Sequence, residues 1–425
     1  MGFIDRVWVG ATVLVALAGG CGAKEDAACT DAGCEGAEVC VDGVCQPVEA
    51  PQTTGDLGRF TRVAVRADGR LVIATYDTSY TNLVVRTEEH DGSFVDRIVA
   101  GWRVEDHRTV DADAGRWPSI AVADDDAVHL SWYDAYAHAL MWARLAPDGT
   151  LLVEQVDGGG DNDRGSHSSL ALGPDGSVHV AYRDRGQRRL RYAVRSPEGR
   201  WQDEPVDGCA RPSGCDEDEE IDRGEWAALV LVAGQPRVAF YDRAHGDLDL
   251  AVREQDGWRV SVLDGWDPVS GMDTGDVGRF ARIALDPKRR VGIAYYDATR
   301  GQLRYLGPEG TASGPLRVDD GVYAAGESGA LRQTPVGQHV ALRYDAQGRA
   351  HMIYLDAGRL VMRHATVVGT VVSKVEDVAG MPPGGHVDFR IADDGRIRGA
   401  YGPWVGDARL RTRLDTFELA PPVGP

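Results

Sequence analysis

The sequence predicts an all-β chain, a seven-bladed β-propeller preceded by a signal peptide and a short Cys-rich segment. Three observations carry the prediction. One unit recurs seven times at a spacing of 47 to 59 residues, a glycine holds the same column in all seven copies, and each unit alternates apolar and polar residues as strands do. With 53 glycines in 425 residues, the composition is that of many turns rather than of long helices.

At the N-terminus, Val7 to Gly20 form an apolar stretch behind Arg6, too short to span a bilayer but suited to a signal-peptide core. Leu17-Ala18-Gly19-Gly20-Cys21 follows directly. This run resembles the lipobox of bacterial lipoproteins, which implies that residues 1–20 are removed and that Cys21 is lipidated. The resemblance places the protein outside the cytoplasm, anchored in the cell envelope, with the outer membrane as the expected location. Ala16-Leu17-Ala18 also reads as an ordinary cleavage site, which would leave a secreted protein. Cysteine parity favours the lipid: of seven cysteines, Cys21 stands apart from the four at Cys29, Cys34, Cys40 and Cys45 and the two at Cys209 and Cys215.

Residues 21–52 carry the anchor cysteine, the Cys-rich segment and a linker marked by Pro47 and Pro51. The stretch from Cys29 to Cys45 is too small to build a core, so two disulfides are expected to hold it, with three connectivities open. A zinc site is the sharper alternative, but the stretch has no CxxC pair and no histidine. It resembles the short Cys-rich stretches that follow the lipid cysteine in myxobacterial lipoproteins.

Residues 53–425 hold the repeat. The first unit reads GDLGRFTRVAVRADGRLVIATYD and the fifth, GDVGRFARIALDPKRRVGIAYYD, is nearly its copy. The shared glycines are Gly58, Gly115, Gly165, Gly224, Gly278, Gly337 and Gly384. A Tyr-rich run ends in Asp77, Asp134, Asp184, Asp242, Asp297 and Asp356, with Pro403 in the last copy. In the first unit, alternating runs around Val63 and Val72 flank an Asp68-Gly69 turn, a third run carries Leu83, and a fourth ends near Val99. Four strands per repeat make a propeller blade. The fourth strand of the last unit is expected near Phe417 to Leu419, or the ring closes with the segment near Val48. These units resemble the repeat of secreted sialidase-like, or BNR, propellers, most closely at Ser169 to Asp184 and Ile283 to Asp297. That resemblance implies the fold and leaves the activity open, because propellers host unrelated chemistries. No sialidase box and no catalytic set is assignable, so catalytic residues stay unknown.

Two carboxylate columns are expected on one face of the disc. The hairpin register places Asp77 opposite Phe60, so strand-two ends lie beside strand-one starts. The second column is Asp56, Asp113, Asp163, Asp222 and Asp276, with Pro335 and Pro382 in the last two units. Asp111-x-Asp113-x-Gly115 and Asp161-x-Asp163-x-Gly165 look like the start of an oxygen-rich calcium loop, which makes calcium the one candidate cofactor, and none is required by the fold. The blander reading is that these aspartates pin loops through backbone N–H groups.

Ligand specificity has to break the ring's symmetry, so the varying columns matter more than the constant ones. After the glycine stand Arg59, Arg116 and Arg279, replaced elsewhere by Ser166, Glu225 and Gln338. The next column is Phe60, Trp117, His167, Trp226, Phe280, His339 and His386. Of these, Arg59, Arg116, Trp117, His167, Trp226 and Arg279 are the ligand-binding candidates, as a basic and aromatic surface for a glycan or an acidic peptide; packing between blades is the alternative.

Lys and Arg total 46 against 66 Asp and Glu, a net charge of −20, which repels phosphate backbones and argues against a nucleic-acid partner. The expected function is a monomeric, envelope-anchored binding or scaffold module for a protein or glycan. The alternative is a carbohydrate-active hydrolase or lyase using Asp134 and Asp184 near Arg116.

Overall fold

A computed structural model describes residues 38–420 apart from 42–43, 106–107, 207, 209–220, 309–313, 326–328 and 404–413. Cys21, Cys29, Cys34, Cys209, Cys215, the signal peptide and the acidic run 216–220 therefore lie outside the described residues. Cys40 and Cys45 face each other in a small hairpin, Glu38–Val41 with Val44–Pro47.

The repeats form a seven-bladed β-propeller. Blade 1 is an antiparallel sheet of Leu57–Val65, Leu71–Asp77, Leu83–Glu88 and Phe94–Ala100, in sequence order. Blades 2 to 6 repeat that order, and their first strands are Ala114–Val122, Arg164–Leu172, Arg223–Val232, Val277–Leu285 and Val336–Tyr344. Blade 7 has three described strands: Gly384–Ile391, Ile397–Pro403 and Asp415–Leu419. The last pairs with the second, so the segment around Phe417 is a third strand and not the expected fourth. Residues near Val48 form no strand with it. Successive first strands touch one another around the ring, and the first of blade 1 meets that of blade 7. They are the inner strands and enclose a central channel.

Apolar residues cluster between blades rather than within them, because each twisted sheet buries both faces against its neighbours. Trp132 and Leu130 of blade 2 pack with Val72, Leu83 and Val85 of blade 1. Equivalent clusters join the other neighbours, including Leu57, Val63 and Ile73 of blade 1 with Ala400 and Leu414 of blade 7. The closure is also hydrogen-bonded: the Val63 N–H donates to Asp388 Oδ2 at 2.9 Å. The repeated glycine has a spatial reason as well as a conformational one. Gly115 has φ of 107°, and a Cβ there would sit 2.6 Å from the Leu83 Cβ of the preceding blade. The same leucine position, Leu140, Leu190, Leu248 and Leu303, meets the glycine of each following blade.

Part of the uneven repeat length comes from hairpins between blades. Trp102–Glu105 with Arg108–Asp111, Trp266–Asp267 with Met272–Asp273, and Val322–Ala325 with Ala330–Gln333 are inserted before blades 2, 5 and 6. All lie on the upper face, where inner strands begin and second strands end. The lower face carries the turns that join those two strands, such as Asp68-Gly69.

Candidate functional site

The inner-strand register departs from a regular hairpin at two neighbouring points, one on each side of Arg59 in blade 1. From Val65 opposite Leu71 to Arg62 opposite Ala74 the pairing is regular, then it shifts, and Asp77 lies opposite Leu57 rather than Phe60. One irregularity lies at Gly58 and the other, a β-bulge, at Phe60, whose φ is +57°. Trp117, His167, Trp226, Phe280, His339 and His386 all share this left-handed conformation. Non-glycine residues rarely hold it, and seven copies of it around one ring mean that the bulge is a built feature.

The bulge aims those seven rings at one another. Phe60 lies 5.2 Å from Trp117, Trp117 4.8 Å from His167, and His167 5.7 Å from Trp226. Trp226 is 5.0 Å from Phe280, Phe280 4.5 Å from His339, His339 4.6 Å from His386, and His386 4.9 Å from Phe60. The result is a closed aromatic collar around the channel. His167 Nδ1 accepts the Trp226 backbone N–H at 3.1 Å, which fixes its tautomer. Burial in the collar, with nearby arginines, pushes His167 and His339 down to about 3 and His386 well below its ordinary value, so these rings are neutral.

Above the collar lie the predicted arginines and the second aspartate column, the one two residues before the repeated glycine, and members of the two pair with each other. Arg116 pairs with Asp113, which also accepts the Tyr76 hydroxyl of blade 1 at 2.9 Å. Arg279 pairs with Asp276, which accepts the Tyr241 hydroxyl at 3.0 Å. Asp163 takes the Tyr133 hydroxyl at 2.7 Å and Arg185 at 3.2 Å, and Asp222 takes Arg183 at 2.5 Å. These aspartates latch each blade to the one before it. Arg59 is exposed and lies 5.0 Å from the centre of the Phe60 ring. Asp56, Asp111 and Asp161 are exposed. Among the described residues no three His, Cys, Asp or Glu side chains come together as a metal-binding group.

The strand-two aspartates cap turns, and in blade 1 Asp77 also holds the loop before strand one. Asp77 accepts the N–H of Ser79 at 2.8 Å, Asp134 that of Ala137 at 2.8 Å, Asp184 that of Gln187 at 2.7 Å and Asp356 that of Arg359 at 2.9 Å. Each bond closes the turn into strand three. Asp77 accepts the N–H of Gly55, just before the inner strand, and Arg164 and Arg223, at the starts of theirs, donate to Asp184 and Asp242. Burial raises the Asp134 pKa despite its two turn N–H groups.

Two features escaped the sequence reading. The first is a buried Tyr–Asp–Arg set between blades: Tyr182 donates to Asp157, Tyr295 to Asp264 and Tyr354 to Asp319, at 2.5, 2.6 and 2.5 Å, with Arg191, Arg304 and Arg363 on the same carboxylates. The second lies below the collar. There the channel widens into a cavity of about 550 Å³ walled by all seven inner strands. Arg62 and Arg282, four residues after their glycines, and Arg343 and Arg390, six after theirs, converge on it together with a single carboxylate, Asp388. Asp388 is tied to Arg343 at 2.6 Å, and although burial would raise its pKa, Arg343, Arg390 and Arg62 hold it below the usual range. The matching positions in blades 2 and 3 are Ser119 and Ser169. The signal in the sequence was an arginine in a column otherwise small or hydroxylic.

No protein-family model and no curated protein sequence matches the chain. Among solved structures, a puromycin hydrolase mutant complexed with PGG is similar over 87% of this chain and 52% of that one, at 13% identity and a TM-score of 0.52. The chain thus spans about half the length of that hydrolase. A protein of unknown function from Dyadobacter fermentans aligns over 87% of this chain and 96% of its own, at 10% identity and a TM-score of 0.46. A neuraminidase-like protein of A/flat-faced bat/Peru aligns over 87% and 88%, at 8% identity and a TM-score of 0.42. At 13% identity the likeness to the hydrolase shows the fold alone.

Proposed function

We propose that the chain is a binding module of the bacterial envelope, anchored through lipid on Cys21, spaced by a disulfide-held Cys-rich segment, and presenting the upper mouth of its channel to a glycan or protein. The observation that carries this reading is the aromatic collar with arginines at its rim. It offers ring faces for stacking and cations for acidic groups at one opening, and it varies from blade to blade as a specific site must. Asp134 and Asp184 are committed to turn N–H groups, so neither is a free base.

A second reading, a carbohydrate-active hydrolase or lyase, draws on one observation: burial raises Asp134, as suits a general acid. Binding of the full chain in detergent to a broad glycan array, with released sugars assayed in parallel, separates the two. Binding without release that falls at least about tenfold in Trp226→Ala supports the module. Sugar release that is lost in Asp134→Asn supports the enzyme, and binding that ignores Trp226 overturns the upper-mouth site.

A further inference from the structure

We propose that the cavity below the collar is a second, separate binding site, for a compact tetrahedral oxyanion of the phosphate type, free or as a monoester. Four guanidinium groups carried on the inner strands of blades 5, 6, 7 and 1 face one carboxylate there, and a fifth arginine on the lining, Arg289, donates to the Leu231 carbonyl at 3.0 Å, inside a protein whose net charge is −20. Gathering cations in a low-dielectric cavity is costly unless an anion answers them. Asp388 answers only part of the charge: it pairs with Arg343 at 2.6 Å and lies 3.6 Å from Arg390. Among the described residues Arg62 and Arg282 have no carboxylate within ion-pair distance. Burial and mutual repulsion lower the pKa of Arg282 well below its ordinary value and that of Arg390 to about 9, more than the one shared carboxylate, Asp388, offsets.

The site is also pre-shaped. One terminal nitrogen of each arginine donates to the carbonyl of the residue before it: Arg62 to Thr61 at 2.9 Å, Arg282 to Ala281 at 2.9 Å, Arg343 to Leu342 at 2.7 Å and Arg390 to Phe389 at 3.0 Å. Those bonds hold the side chains in place and leave their other N–H groups for a ligand. The facing wall supplies hydroxyls. Ser119 Oγ accepts the Leu170 N–H at 2.9 Å and Ser169 Oγ the Leu229 N–H at 3.0 Å, so each keeps its own proton to donate. Donors thus come from both walls and from two levels of the strands. That suits an anion with oxygens in every direction better than a planar carboxylate, which one guanidinium fork can satisfy.

The test is titration calorimetry and thermal melting of the full chain with inorganic phosphate, glucose 6-phosphate and acetate at constant ionic strength. Expected are saturable binding of phosphate or the sugar phosphate, a rise in Tm with them, and no rise with acetate. The tighter of the two phosphates identifies the source. Arg282→Met is expected to melt higher than the native protein without anion, as repulsion is relieved, yet to bind at least tenfold more weakly. Arg282→Lys keeps the charge and is expected to fall between them, while Trp226→Ala, in the collar, keeps anion binding. No saturable response in the native protein, or a response undiminished in both Arg282 variants, overturns the site and leaves the upper-mouth reading untouched.

Discussion

Replacing Tyr354 by Phe removes one hydroxyl from a place closed to water. Tyr354 has no exposed surface, and its hydroxyl donates to Asp319 Oδ2 at 2.5 Å. Arg363 pairs with the same oxygen, and the other accepts the Gly321 N–H at 2.9 Å. The lost bond is one to a charged acceptor, worth about 1.5–3 kcal/mol. The phenyl ring still fills the site, so no cavity cost adds. Asp319 keeps two partners, which places the expected loss in the lower part of that range, about 1.5–2 kcal/mol. For a domain of this size that is a fall in Tm of about 2–3 °C. Urea denaturation and calorimetry should be run beside Tyr296→Phe. Tyr296 packs on Phe280, and the next blade offers Pro335 where other blades offer an aspartate. That control is expected to change stability by no more than about 0.5 kcal/mol. If Tyr354→Phe is as mild as Tyr296→Phe, the buried sets do not hold the blades together as argued.

Asp297 is fully buried, caps the Arg300 N–H at 2.9 Å and meets Arg304 at 3.1 Å, so Asp297→Ala is expected to cost about 3–5 kcal/mol by chemical denaturation. Arg279→Ala breaks its pair with Asp276, in which both side chains are a third or more exposed, 41% and 34%, and should cost about 1 kcal/mol or less. The collar histidines make stability pH-dependent: their folded pKa values lie below the unfolded value of about 6.5, so the neutral rings contribute fully above that pH, and the contribution is lost as pH falls from there toward about 3. His167→Phe and His339→Phe should flatten the acid limb of a Tm-against-pH curve, and an unchanged slope between about pH 6.5 and 4.5 would contradict the collar's burial. Because arginine and tyrosine already occupy Asp113, Asp163 and Asp276, chelator is expected to leave Tm unchanged, whereas a fall on chelation would restore the calcium reading.

The blades were legible because their signal is local. Alternation around Val63 and Val72, the Asp68-Gly69 turn and the Leu83 run lie within a single repeat, and seven repeats average out the noise in any one. The collar was half legible. Its column was singled out, but the bulge that turns Phe60, Trp117 and His167 inward sits on non-glycine residues, and with the second shift at the repeated glycine it moves Asp77 away from where a regular hairpin register puts it. The Tyr–Asp–Arg sets were missed because Asp157, Asp264 and Asp319 end outer strands, 25, 31 and 35 residues before the tyrosines they meet in the next blade. The arginine cavity was missed for a related reason. Arg62 and Arg390 stand 328 positions apart and at different strand levels, and only closure of the ring brings them to one cavity. Function was the least legible, since the columns that repeat serve the fold and say nothing of a ligand.

The account rests on the channel being where ligands bind, and a crystal of the full chain soaked in selenate tests this most directly. The expected result is an anomalous peak among Arg62, Arg282, Arg343 and Arg390, within hydrogen-bond reach of Ser119 or Ser169. Peaks confined to the outer surface of the disc, with ordered water alone among those four arginines, would contradict it.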